Sequence, residues 1–131
     1  MVKKKRDSQD VTAVTQPITV EETTSMDNLR ANLEEIKTYD GVVGYILRNS
    51  TSAAIDLKDP TKIIDYAILS SSAHGASEEL SELFNLGEIK DIVIEGNDVK
   101  VLSLAVGENK VSVFMEKDVD SKKIHKKLHS S

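Results

Sequence analysis

Apolar residues recur at Met26, Leu29, Leu33 and Ile36, spaced three and four apart, which is the signature of one helix face. Thr24 or Ser25 can cap this helix, which is expected to end near residue 38. The period then changes. "GVVGYILR" (residues 41–48) is β-branched and aromatic and apolar on both pleat faces, the pattern of a central strand covered on both sides. After the polar "NSTS", "AAIDL" (53–57) supplies an antiparallel neighbour. Asp59 followed by Pro60 marks a helix start, because proline at the first helical position loses nothing by lacking an N–H. That long helix is expected to run from residue 60 to about 84 and to close at "NLG". Three strand-length runs follow, 89–95, 99–106 and 110–117, joined by short Gly-containing loops typical of hairpins. A last helix, 119–129, is expected with Asp118 as its cap. Its four lysines suit the negative end of the helix dipole. Five antiparallel strands with both faces apolar need cover on each side. The expected class is α+β: a three-layer sandwich with the long helix on one face and the other two on the opposite face.

On a helical wheel the long helix carries two stripes. Tyr66, Leu69, Ala73, Ala76, Leu80, Leu83 and Phe84 cluster within about a third of the circle and read as the sheet-facing side. Ile64, Ile68, Ser71 and Gly75 form a second stripe, spaced four, three and four, which is the seam spacing of one helix against another. Ser71 and Gly75 would let a second helix approach closely. A single copy would leave this seam in water, so a second copy is expected to cover it. Ile64 and Ile68 on two chains contribute roughly 6 to 12 kcal/mol, at about 1.5 to 3 per side chain. Association costs on the order of 4 to 15 kcal/mol, so a further contact is needed. The strand holding Ile92 and Ile94 is the best candidate, since an exposed edge can pair with its own copy across a two-fold axis.

Composition narrows the function classes. The 131 residues are one domain by size, with residues 1–24 reading as a flexible tail and 25–131 as the folded unit. There is no cysteine, hence no disulfide framework or thiolate site. No apolar run approaches the ~20 residues of a membrane helix, and no apolar stretch follows the basic start, so a cytoplasmic location is expected. The net charge of −5 conceals a body, residues 25–117, with nine basic and sixteen acidic groups. An acidic body argues against nucleic acid, whose phosphates need a basic field.

The serine-rich stretch 70–77 invites a catalytic reading, since Ser71 and His74 are three apart on a helix. No third member, nucleophile elbow or oxyanion donor accompanies them, so His74 is expected to be a half-exposed helix residue and no catalytic residue is assigned. No GxxxxGK[ST] loop is present. His74, His125 and His129 are too scattered along the chain to indicate a metal, and no cofactor is expected.

The order of elements, together with "GYILR", the long helix running into "LGEIKDIVIEG" and the "GENKVSVF" hairpin, resembles the Roadblock/dynein light chain family over residues 25–129. One departure is the first hairpin, "RNSTS", which has no glycine where the family usually carries one. The resemblance implies a profilin-like sandwich that dimerises through the second helix and third strand, binds or regulates small Ras-like GTPases, and has no catalytic residues of its own. It implies that the paired second helices are the platform for the GTPase, with Glu78, Glu79 and Glu82 as an acidic rim meeting basic residues. Rim charges tune encounter rate more than affinity. The competing expectation is a small-ligand sensor with a pocket between sheet and helix.

Overall fold

The structure, a computed structural model, describes residues 20–129, with side chains from residue 27 onward. The expected tail through residue 19 and the Met26 side chain lie outside the described residues. Helix α1 spans Val20–Lys37, reaching five residues further back than the apolar pattern suggested. Strands β1 (Val42–Arg48) and β2 (Ala53–Leu57) form the first hairpin. Asn49 replaces the missing glycine in its turn, its Oδ1 accepting from the backbone N–H groups of Thr51 and Ser52 at 2.9 and 3.0 Å. Such an Asx turn needs no left-handed residue.

Asp59 caps as expected, accepting from the Thr61 N–H at 3.0 Å, but the turn it opens is 3₁₀, Pro60–Lys62. Helix α2 proper is Ile63–Phe84 and ends on Asn85 in the left-handed conformation. The remaining strands are β3 (Asp91–Glu95), β4 (Val99–Val106) and β5 (Asn109–Glu116), followed by α3 (Ser121–His129). The cap of α3 differs from expectation: Asp120, not Asp118, accepts from the Lys122 N–H, because Asp118 falls in the turn after β5.

All five strands form one antiparallel sheet in the order β2-β1-β5-β4-β3. The return of β5 to pair with β1 puts the most apolar strands at the centre and leaves β2 and β3 as edges. The two faces are unequal. Under α1 and α3, thirteen fully buried residues, including Leu29, Leu33, Ile36, Tyr45, Val113 and Leu128, make the main core. Under α2 only Ile46, Leu57, Val101 and Phe114 are fully buried in the apolar cluster, with Tyr66 stacked on Phe114 at 4.5 Å between ring centroids.

Candidate functional site

The α2 face of the sheet is short of bulk because its middle is polar. Ser103 and Ser112 are directly paired across β4 and β5, and both point at the helix. The Ser112 hydroxyl lies 2.8 Å from Ser103 Oγ, 2.7 Å from Ser70 Oγ and 3.4 Å from His74 Nε2. Every member of this cluster is buried, so the hydroxyls satisfy one another, which is the condition for burying them at all. Two mid-strand serines, "VLSLAV" and "KVSVF", were the sequence signal for this layer.

The cluster corrects two expectations. His74 is not half-exposed: it keeps only 8% of its surface, because the helix is rotated about its axis relative to the apolar count. The side facing the sheet is Ile63, Tyr66, Ala67, Leu69, Ser70, Ala73 and His74, so Tyr66, Leu69 and Ala73 face it as expected. Leu83 and Phe84 are 69% and 66% exposed instead of packed on the sheet, because they sit in the last turn of α2, and Leu80 is only partly covered. Small polar residues won the inward positions since they let the helix lie close to β4 and β5.

Burial holds the His74 ring neutral, with its pKa pushed down to about 4. Nearby Arg48 and Lys110 add to the effect, while Glu78 opposes it. An unfolded histidine takes its proton near pH 6.5. Stability from this site is therefore complete above pH 6.5 and is lost as pH falls toward 4, by at most about 3 kcal/mol at 1.36 kcal/mol per unit. His74→Gln is expected to flatten the urea-midpoint profile between pH 7 and pH 4.5. An unchanged slope would mean the ring is not insulated from water.

The residues of the expected seam lie on the outward side of α2. Ile64 and Ile68 are 73% and 62% exposed, and Ser71 and Gly75 are also on the surface. A side chain at Gly75 would meet nothing within 4 Å. Strand β3 is a sheet edge, bonded only to β4. Ile92 and Ile94 are half-buried, and Ile94 packs under the protein's own α2, so what β3 offers outward is its backbone edge and Val93, 43% exposed. Glu78, Glu79 and Glu82 line the outer side of the second half of α2; Glu78 lies 3.3 Å from Lys110 Nζ, and the other two have no ion-pair partner among the described residues.

Ser71 and His74 are not brought together, since one is in solvent and the other is turned inward against Ser112. On α3, His125 and His129 are neighbours, and His125 Nε2 pairs with Asp91 at 2.9 Å. Among the described residues no group of three or more histidine or carboxylate side chains is placed to hold a metal. No described helix is long and apolar enough to cross a membrane. A cleft of about 390 Å³ opens between the second half of α2 and strands β3 and β4, floored by Ser103 and Leu104 and rimmed by Glu78, Glu82 and Lys110.

No family model and no curated protein matches the chain by sequence. Solved structures match it in shape. A Roadblock/LC7 domain from Streptomyces avermitilis is 11% identical with a TM-score of 0.61, over 79% of this chain and 87% of its own. The gliding protein MglB of Thermus thermophilus is 15% identical with a TM-score of 0.58, over 79% and 82%. MglB of Myxococcus xanthus is 12% identical with a TM-score of 0.60, over 78% and 86%. At such identities the likeness rests on the sheet order and the two-faced helix cover, and with these in place the chain has the Roadblock/LC7 fold.

Proposed function

We propose that this protein is a non-enzymatic scaffold or regulator that forms a homodimer through α2 and β3 and binds a small Ras-like GTPase. The observation that carries the reading is the seam. Gly75 sits within a long helix, where glycine costs about 1 kcal/mol relative to alanine, and nothing inside the protomer needs it. A close neighbour from outside supplies the reason. Antiparallel pairing about a two-fold axis between Leu69 and Ser70 sets Ile64 against the partner's Gly75 and Ile68 against the partner's Ser71, large into small on every level. The unpaired edge of β3 adds backbone hydrogen bonds to its copy. The fold it shares with Roadblock/LC7 domains and the MglB proteins supports the GTPase as partner. Glu78, Glu79 and Glu82 flank the seam as the acidic rim.

Light scattering on the purified chain, with capture of a purified Ras-like GTPase in its GDP and GTP-analogue states, tests both halves. A monomer with no nucleotide-dependent partner defeats the reading. Gly75→Leu separates fold from assembly. The protomer is expected to melt no lower, gaining up to about 1 kcal/mol from loss of a helix glycine, while the dimer dissociates because the leucine overfills the seam. A Gly75→Leu protein that stays dimeric places the interface elsewhere.

The cleft beside His74 favours one second reading, a small-ligand sensor. It predicts a thermal shift with a metabolite and a ligand-dependent change at Ser103 and His74. No shift across a broad panel removes it.

A further inference from the structure

The cleft of about 390 Å³ between α2 and the sheet exists because the residues that face each other there are small: Ser77 and Ser81 on the helix, Ser103 and Ala105 on β4. Leucines at these places would fill the space. The Ser81 hydroxyl donates to the Gly87 carbonyl, which ties back the connection that forms a further wall, Glu88 and Ile89. The deep end and the mouth differ in charge. At the deep end lie His74 and Ser103, both buried. His74 Nε2 is 3.4 Å from Ser112, and its Nδ1 has no hydrogen-bond partner among the described residues. Arg48 and Lys110 both act against positive charge on this ring. The mouth carries Glu78, Glu82 and Glu88, all exposed. Glu78 is taken up by Lys110, whereas Glu82 and Glu88 have no ion-pair partner among the described residues.

A buried ring nitrogen costs free energy until something bonds to it, and unpaired carboxylates raise the local concentration of cations. The two ends therefore suit different groups. A cation fits the mouth but not the deep end, where Arg48 and Lys110 oppose it. A hydroxyl fits the deep end because it both donates and accepts, and so serves Nδ1 in either ring tautomer. From this arrangement we propose that the cleft binds a small hydroxylated amine, its ammonium at Glu82 and Glu88, its hydrocarbon body on Ile89 and Ala105, and its hydroxyl at His74 Nδ1. The helix sets the ligand's length. His74 and Glu82 are eight residues apart, about 12 Å along the axis at ~1.5 Å per residue. Hydrogen bonds of ~3 Å at each end leave roughly 6 Å for the ligand, close to the span of a phenol with a short aminoalkyl arm. The site deepens the ligand-sensor reading, on which it rests, and needs no GTPase.

Tyramine is the probe. Three compounds accompany it: 4-ethylphenol lacks the ammonium, phenethylamine lacks the hydroxyl, and 4-hydroxyphenylacetate carries an anion in place of the cation. Each is titrated at neutral pH and constant ionic strength into wild type, the Glu82→Gln, Glu88→Gln double variant and Ala105→Leu. Calorimetry and the His74 imidazole resonances are the readouts. Ala105 is exposed, so Ala105→Leu fills the cleft without touching the core, and melting curves confirm that both variants fold.

Tyramine is expected to saturate the wild type at millimolar concentration or below and to move the His74 resonances. 4-Ethylphenol and phenethylamine are expected to bind at least tenfold more weakly. The double variant loses the advantage of tyramine over 4-ethylphenol, and Ala105→Leu loses all binding. Equal affinity for phenethylamine overturns the proposal, because His74 then contributes nothing, and equal affinity for 4-ethylphenol does so because the carboxylates contribute nothing. Tyramine binding that survives Ala105→Leu lies elsewhere and also overturns it. If 4-hydroxyphenylacetate binds and tyramine does not, with the binding lost in Ala105→Leu, the ligand-sensor reading stands and the amine falls. If no compound binds, the amine falls and the broad metabolite panel decides the ligand-sensor reading separately.

Discussion

Gly44→Ala is expected to abolish the folded domain or to lower its stability by more than about 3 kcal/mol, the range of severe backbone and packing conflicts. A Cβ at Gly44 would lie 2.3 Å from the Asp56 carbonyl oxygen and 2.7 Å from both Cα and Cδ2 of Leu57. Two of these three atoms are backbone, so no rotamer change relieves the conflict. The position is also where β1 shifts register against β5, between Val42 and Gly44. Strand β1 joins the edge β2 to the rest of the sheet, and Leu57 belongs to the small apolar cluster beneath α2. Pushing β2 away would therefore open the weaker face of the sandwich. Circular dichroism and urea unfolding of Gly44→Ala beside Gly75→Ala make the comparison internal: the second has open space around it within the protomer, whose own stability should be unchanged or raised. Equal stability of the two proteins would mean the β1 and β2 strands can separate freely, contrary to this packing.

The Ile64→Asp, Ile68→Asp double variant is expected to be a folded monomer. Both isoleucines are already mostly in water within one protomer, so the protomer loses little. The proposed dimer loses four buried side chains and gains four carboxylates inside the seam, against the partner's Gly75 and Ser71. Even a loss of about 4 kcal/mol, well below the roughly 6 kcal/mol lower bound for burying the four, raises the dissociation constant nearly a thousandfold. Light scattering at micromolar concentration reads the change directly, with the melting curve confirming that the chain still folds. A double variant that remains dimeric would show that α2 is not the surface on which copies meet.

Much of the architecture is legible in the sequence. Strand and helix order, the Asp59–Pro60 start and the partition of helices between two faces follow from period and turn chemistry, which are local properties. The exposed pair Ile64 and Ile68 was legible for the same reason, because a second apolar stripe on a helix has no use inside a single sandwich. Element ends were less secure. Asp118 and Asp120 are both acceptable caps, and only the length of the turn after β5 selects the second.

The inward side of α2 shows where reading along one element stops. An apolar count favours Leu83 and Phe84 as core residues, yet the helix outruns the sheet there and they face solvent. Ser70 and His74 look like surface residues, but Ser103 and Ser112 wait beneath them with matching hydroxyls. That match involves residues up to 42 positions apart. Arg48 is similar: its buried Nε is without a hydrogen-bond partner because of what β5 and α2 do not provide.

The sequence by itself settled the elements, their order, the acidic body and the presence of a second, outward apolar stripe on α2, since each is written in neighbours within a few positions. Tertiary structure decided which side of α2 turns inward, which strands remain edges, and which charges lack partners. Those outcomes arise from distances between residues remote along the chain, where close packing and the demand that buried polar groups find partners outweigh the hydrophobicity of any one position.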